Sequence, residues 1–271
     1  MRPDLFNQLK AQLEGDLFFD NVQRVLYSTD ASQYKEMPLA VTKPKNKNDI
    51  KKIIAFAREN NTNIIPRGAG TSLAGQVVGN GIVVDVSKYM NKILDFNKEE
   101  NYVIVEPGVV LAELNLFLAQ HGMQFGPETS TANRCVIGGM LGNNSCGLHS
   151  LVYGSVREHV LEVDALLSDG SETTFKELSK EEFQNKLNGN PNQQEKAIYS
   201  NINDLLSDEQ NREEIRKNFP APELTRRNMG YAIDELMYAD PFTEGGGKFN
   251  FCKLLAGSEG TLAFSTRIKL N

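Results

Sequence analysis

Ile64-Ile65-Pro66-Arg67-Gly68-Ala69-Gly70-Thr71-Ser72-Leu73-Ala74-Gly75-Gln76 joins a β-branched apolar pair to a proline and then to three glycines within eight positions. This is the composition of a strand ending in a loop whose backbone passes close to something. Glycine permits positive φ and carries no Cβ, so successive N–H groups can turn inward as an anion-binding nest. The pattern predicts a phosphate or pyrophosphate ligand, with the hydroxyls of Thr71 and Ser72 as extra donors. It is not a P-loop, because no Gly-Lys-Ser/Thr closes it. It also departs from G-x-G-x-x-G, because Gly68 and Gly70 fit but position 73 is Leu. On spacing alone, a plain tight turn and a phosphate cradle remain equal readings.

The flanking sequence supplies a frame. Leu39-Ala40-Val41-Thr42 reads as a short strand. Asn48-Asp49-Ile50 opens a helix with Ile50, Ile53, Ile54 and Ala57 on one face, ending near Asn60-Asn61. Asn63-Ile64-Ile65 follows, giving a βαβ unit, and 81–86 supplies a further buried strand. An earlier helix is predicted over 4–14 behind an Asp cap. Tyr102-Val103-Ile104-Val105-Glu106-Pro107-Gly108 is a strand closed by a Pro-Gly turn, followed by a helix over 111–119 that stops near Gly122. The organisation expected is an arm (1–38), a first α/β lobe (39–108) and a second lobe (109–271).

Residues 126–147 break this pattern. Gly126-Pro127-Glu128-Thr129-Ser130-Thr131-Ala132-Asn133 has no periodicity and many hydroxyls, and 136–147 places Gly138, Gly139, Gly142 and Gly147 among small and amide side chains. Each glycine in a helix costs roughly 1 kcal/mol relative to Ala. Close approach of another backbone or a ligand would offset that cost; the plainer alternative is a tight helix–helix contact. Residues 161–175 read as a hairpin turning at Asp169-Gly170. Residues 177–218 read as polar helix, with the Asn/Gln-rich break 188–194 as a solvated excursion. A turn at 257–260 leads into an alternating strand that stops one residue before the end.

Composition narrows the classes. The 271 residues are 40% hydrophobic and 24% charged, ordinary for a globular chain. A net charge of −6 argues against a general nucleic-acid surface. No apolar run approaches a membrane span, and the N-terminus lacks a signal-peptide apolar region. Cys135, Cys146 and Cys252 form no Cys-x-x-Cys pair, which suits a reducing cytoplasm, and His121, His149 and His159 are too scattered to suggest a metal cluster.

Three segments, 66–76, 127–147 and 257–265, in this order resemble the flavin-binding domain of the vanillyl-alcohol oxidase-type (para-cresol methylhydroxylase-type) FAD oxidoreductases. The resemblance is strongest to their D-2-hydroxyacid branch: D-lactate dehydrogenases, the glycolate oxidase FAD subunit and D-2-hydroxyglutarate dehydrogenases. Tyr27-Ser28-Thr29-Asp30-Ala31-Ser32 and Thr225-Arg226-Arg227-Asn228-Met229-Gly230-Tyr231 add to it, and it covers essentially the whole chain. It implies an α+β, two-lobed FAD-binding fold: a small α/β lobe with a mostly parallel sheet, and a second lobe with a mixed or antiparallel sheet flanked by helices.

The resemblance assigns roles to residues. Pro66, Arg67, Gly68, Ala69, Gly70, Thr71 and Ser72 would wrap the FAD pyrophosphate, with Gln76 beside them. Arg67 would add charge to the phosphates or else make a surface salt bridge. Pro127, Glu128, Ser130, Thr131, Gly138, Gly139, Gly142, Asn143, Ser145 and Gly147 would run along the ribityl chain and isoalloxazine. Glu259, Gly260 and Thr261 would border the adenosine and flavin region, with Glu259 either touching FAD or stabilising its own loop. No histidine stands within Arg67-Gly68-Ala69-Gly70, where relatives attach FAD, so the cofactor is expected to be non-covalent; Cys146 and His149 are nearby nucleophiles read as packing residues. No catalytic residue is identified. Arg226, Arg227 and Tyr231 are candidates to face a substrate cavity, against the alternative of a solvated Arg pair.

The implied reaction is oxidation of a 2-hydroxyacid by hydride transfer to flavin N5, with an undefined electron acceptor. In this branch the substrate groups and metal-binding histidines sit in a C-terminal substrate domain. The chain is accordingly read as a flavin domain without it, cytoplasmic or peripheral to a membrane through a parent enzyme, with no metal site. The alternative reading is a catalytically silent flavin-binding, electron-transfer or assembly subunit.

Overall fold

The computed structural model describes residues 3–189, 192–221, 223–224, 227 and 230–271. The strands among them are β1 (Asp16–Phe18), β2 (Ala40–Lys43), β3 (Ile64–Arg67), β4 (Ile82–Asp85), β5 (Ile93–Asn97), β6 (Tyr102–Val105), β7 (Val160–Leu166), β8 (Glu172–Leu178), β9 (Phe249–Asn250) and β10 (Phe264–Leu270). They form one sheet in the order β1-β2-β4-β3 and a second in the order β5-β6-β10-β7-β8-β9. In the first, β2, β4 and β3 pair in parallel and β1 is antiparallel to β2. The second pairs antiparallel throughout. This is the expected α+β, two-lobed architecture.

Helix Lys47–Glu59 makes the crossover between β2 and β3. Asn46 caps it, its side chain accepting from the N–H groups of Asn48 and Asp49 at 3.0 and 3.1 Å. Ile50, Ile53, Ile54 and Ala57 are buried on one face, as their spacing predicts. Asp49, fully buried, accepts from the N–H groups of Glu14, Gly15 and Lys45 at 2.9 to 3.0 Å. One carboxylate thus ties the helix start to the chain before β1. Parallel crossover places β3 at the sheet edge, where Pro66 forfeits no ladder bond.

The sheets divide the chain differently from the expected lobe boundary at 108. β5 and β6 belong to the second sheet, because β10 returns from the end of the chain and inserts between β6 and β7. The same strand joins the lobes: Phe264 of β10 and Leu166 of β7 pack into the first lobe's core with Ile82, Val84 and Met90. The predicted hairpin forms as β7 and β8, with Gly170 at φ 85 in its turn.

Segment 177–218 is helical, over Lys180–Asn188, Gln193–Ser207 and Glu209–Asn218. Its polar sequence conceals a packed face: Phe183, Tyr199, Leu206 and Ile215 are buried in the second lobe's core. The aromatic rings of Phe183, Tyr199, Phe249 and Phe251 meet at 4.7 to 6.1 Å between centroids. Within the break at 188–194, Asn188, Gly189 and Gln193 are exposed, as expected of a solvated excursion, while Asn192 caps the next helix; residues 190 and 191 lie outside the described residues.

Candidate functional site

A cleft of about 330 Å³ lies on the seam between the lobes, beyond the carboxyl end of β3 and β4. Its walls come from three stretches of chain. The first contributes Pro66, Arg67, Gly68, Ala69, Gly70, Thr71, Ser72 and Gln76. The second contributes Ser130, Thr131, Gly138, Gly139, Gly142, Asn143 and Ser145, and the third Glu259 and Gly260. All three glycine-rich segments therefore meet.

In the first wall, the N–H groups of Gly68, Ala69, Gly70, Thr71 and Ser72 find no acceptor among the described residues. Gly68 faces the opposite lobe so closely that a Cβ there would lie 2.3 Å from Val136 Cγ2. Arg67 makes no salt bridge among the described residues. Its guanidinium donates to the carbonyls of Tyr27 (3.4 Å) and Thr29 (2.9 Å), and burial pulls it below its ordinary pKa. Ala31 N–H donates to Gly70 O at 3.0 Å, so the arm around 27–31 backs the loop.

In the second wall, the glycine-rich stretch forms only the short helix Ile137–Gly142. Its glycines meet backbone and open space, not another helix. A Cβ on Gly138 would strike Pro107 at 2.7 Å, one on Gly142 would contact the turn at Glu259, and one on Gly139 would meet only Val136 and enter the cleft. Pro127, Glu128 and Gly147 do not line the cleft. Gly147 instead packs on the Glu128 carbonyl, which a Cβ would overlap at 1.1 Å, and Glu128 pairs with His149 at 3.1 Å.

The third wall is a turn with Gly257 at φ 95, Glu259 at φ 54 and Gly260 at φ 75. A left-handed non-glycine residue costs roughly 1–2 kcal/mol. Two backbone bonds hold the turn on the glycine helix: Gly257 N–H to Leu141 O at 3.0 Å and Glu259 N–H to Gly142 O at 2.8 Å. Behind it, buried Arg157 donates to the carbonyls of Lys253 (2.9 Å) and Ala256 (2.8 Å). Across the cleft, Gln76 Nε2 donates to Asn143 Oδ1 and to Glu259 Oε1, each at 3.1 Å.

Thr261 lies outside the cleft lining; its hydroxyl donates to Ser258 O and pairs with the Tyr231 hydroxyl, both at 2.6 Å. Tyr231 is exposed on that side. Arg227 is not a freely solvated arginine: its guanidinium is partly buried and pairs with Asp234 and Glu235. Arg226 lies outside the described residues. Val86 and Pro107, which lie outside the three segments, complete the lining together with Val136, Leu141, Phe264 and Ser265 from within the second and third. Most are apolar, and nothing in sequence distinguishes an apolar cleft wall from a core. Cys146 also lines the cleft, and no metal-ligand cluster exists among the described residues.

The site fits a dinucleotide with a diphosphate. Five successive open amides suit the anion, and Gly139 leaves one wall bare for a flat ring. The Gln76 Oε1 atom is buried without a hydrogen-bond partner, an acceptor awaiting a donor. Histidine is absent from the loop, and His149 Nδ1 is engaged by Glu128.

Residues 38–176 match the family model described as an FAD binding domain. The chain is 34% identical over 273 residues to D-2-hydroxyglutarate dehydrogenase of Haemophilus influenzae, covering 99% of this chain and 26% of that protein. Against D-2-hydroxyglutarate dehydrogenase of Escherichia coli it is 38% identical over 260 residues, covering 95% and 24%. The chain thus spans about a quarter of the length of these relatives. Among solved structures, alkyldihydroxyacetonephosphate synthase superposes with a TM-score of 0.65 at 19% identity, covering all of this chain and 40% of that one. At that identity the likeness shows the fold alone.

Proposed function

This chain belongs to the FAD-binding domain family, and we propose that it is the cofactor-holding part of an oxidoreductase that oxidises a D-2-hydroxyacid. The observation that carries the reading is the convergence of three glycine-rich segments on one cleft whose first wall presents five open amides. The chemistry a bound flavin supplies is two-electron acceptance at N5 from the carbon bearing the substrate hydroxyl.

This chain's residues bind and orient. The amides from Gly68 to Ser72, with the hydroxyls of Thr71 and Ser72, hold the diphosphate, and Arg67 adds positive charge beside it. Ser130, Thr131, Asn143 and Ser145 offer hydrogen bonds to the ribityl hydroxyls. Val86, Leu141 and Phe264 exclude water from the ring. The substrate class follows the names of the relatives, 2-hydroxyglutarate first, with lactate and glycolate as the other members of the class. The substrate's carboxylate and hydroxyl would be recognised by the remainder of a longer protein. Attachment of FAD is non-covalent.

Reconstitution tests this. The chain should take up FAD, turn yellow and release all flavin to the supernatant on acid precipitation. A longer protein carrying this domain should bleach anaerobically with D-2-hydroxyglutarate or D-lactate, whereas the 271-residue chain should not. Failure to bind FAD would sink the cofactor assignment. Flavin binding without bleaching by any 2-hydroxyacid in the longer protein would favour the silent-subunit reading.

A further inference from the structure

We infer that Gln76 and Glu259 are positioning residues, which with Asn143 clasp the two walls of the cleft around its cofactor. This rests on the FAD reading above. Gln76 stands on the loop after β3, whereas Asn143 and Glu259 stand on the opposite wall, 67 and 183 residues further along the chain. A single amide group therefore spans the seam and ties all three glycine-rich segments together.

Glu259 is the residue that makes this a device. It occupies a left-handed conformation in a turn that already uses Gly257 and Gly260 for positive φ. Glycine would sit there without strain, so the glutamate side chain has a task that outweighs the backbone cost. That task is not to stabilise its own turn: among the described residues its carboxylate accepts only from Gln76. The backbone bonds to Leu141 and Gly142 fix the turn and so aim the carboxylate across the seam.

The direction of the Gln76 amide follows. Two acceptors, Asn143 Oδ1 and the Glu259 carboxylate, require its NH₂ group. Asn143 is itself oriented by its Nδ2 contact to Ser145 Oγ at 3.4 Å. This leaves Gln76 Oε1 buried and unpaired. Closure alone thus carries an unsatisfied acceptor, and a bound molecule bearing N–H or O–H donors favours it.

The test measures FAD affinity of the 271-residue chain by flavin fluorescence, with apo thermal unfolding in parallel. Gln76→Glu sets two carboxylates against each other. It should weaken FAD by about tenfold or more, mainly through faster release, and lower the apo Tm. Adding Glu259→Gln exchanges the two roles and should restore both values. Glu259→Gly removes the carboxylate but relaxes the turn, so it should weaken FAD by about tenfold with little change in apo Tm.

Unchanged FAD affinity in Gln76→Glu, or in Glu259→Gly, would overturn the clasp. So would a double variant as weak as Gln76→Glu, which would mean that pairing between positions 76 and 259 plays no part in holding the cofactor. If the unaltered chain takes up no FAD, the cofactor reading fails by itself. The clasp is then judged on the apo Tm cycle, and independent effects at 76 and 259 would overturn it.

Discussion

The guanidinium carbon of Arg67 lies 5.0 Å from the centroid of the Tyr27 ring, so the glycine loop is seated on the N-terminal arm. Tyr27 is fixed in turn, its hydroxyl donating to Asp85 Oδ2 at 2.6 Å. Asp85 also accepts from the N–H and hydroxyl of Ser87 and lies beside Arg67 in the register of β3 and β4. An arm remote in sequence thereby sets where the loop's charge sits.

Tyr27→Leu should therefore loosen Arg67 and weaken FAD by about three- to tenfold, in line with a partly buried cation–π contact of roughly 0.5–2 kcal/mol. Tyr27→Phe, which keeps the ring and loses only the Asp85 bond, should fall between this and the unaltered chain. FAD titration checks the order; equal affinities for all three proteins would show that the stack does not position Arg67.

Alkaline titration should separate two tyrosines from the rest. Burial, reinforced by Asp85, pushes the Tyr27 hydroxyl well above its ordinary value of 10.0, and burial does the same for Tyr199. Because the folded values are raised, the stability these groups lend is full below pH 10. It is lost as the unfolded chain ionises and the pH climbs towards the folded values. Of the 8 tyrosines, absorbance near the phenolate band should report two that ionise only with unfolding. Smooth titration of all eight in the folded chain would contradict this.

Gly139 and Gly147 should respond oppositely to alanine. At Gly139 the added methyl meets only Val136 Cγ2 at 3.7 Å and otherwise projects into the cleft. Stability should hold or rise by about 0.5–1 kcal/mol from helix propensity while FAD affinity falls. At Gly147 the methyl would overlap the Glu128 carbonyl, so the variant should lose at least about 3 kcal/mol or fail to fold. Thermal unfolding and FAD titration of the pair check both halves.

Asp49→Ala should destabilise the chain by about 2–4 kcal/mol, since it orphans three backbone N–H groups that the carboxylate holds at 2.9 to 3.0 Å. Asp49 is remote from the cleft lining. FAD affinity, measured well below the variant's Tm, should consequently match the unaltered chain. Urea unfolding gives the first quantity and flavin fluorescence the second.

Much of this protein was legible in the sequence because much of it is local. The crossover helix, β3 and the loop after it, the hairpin at Asp169-Gly170 and the three glycine-rich segments each show in residue type and spacing. Such features report what a backbone can do over a few residues. The strands at Asp16–Phe18 and Ile93–Asn97 escaped notice because they are short and weakly patterned, and their pairing partners define them. The apolar cleft lining escaped because burial against a core and against a cleft select the same side chains. The convergence itself belongs to tertiary structure: β10 inserts between β6 and β7, and Phe264 enters the first lobe's core. That insertion carries Glu259 to within 3.1 Å of Gln76. Sequence determined which segments have a backbone bare enough for close approach, because glycine and small residues write that locally. Tertiary structure decided that they face one another, because strand order and a core shared between lobes depend on contacts more than a hundred residues apart.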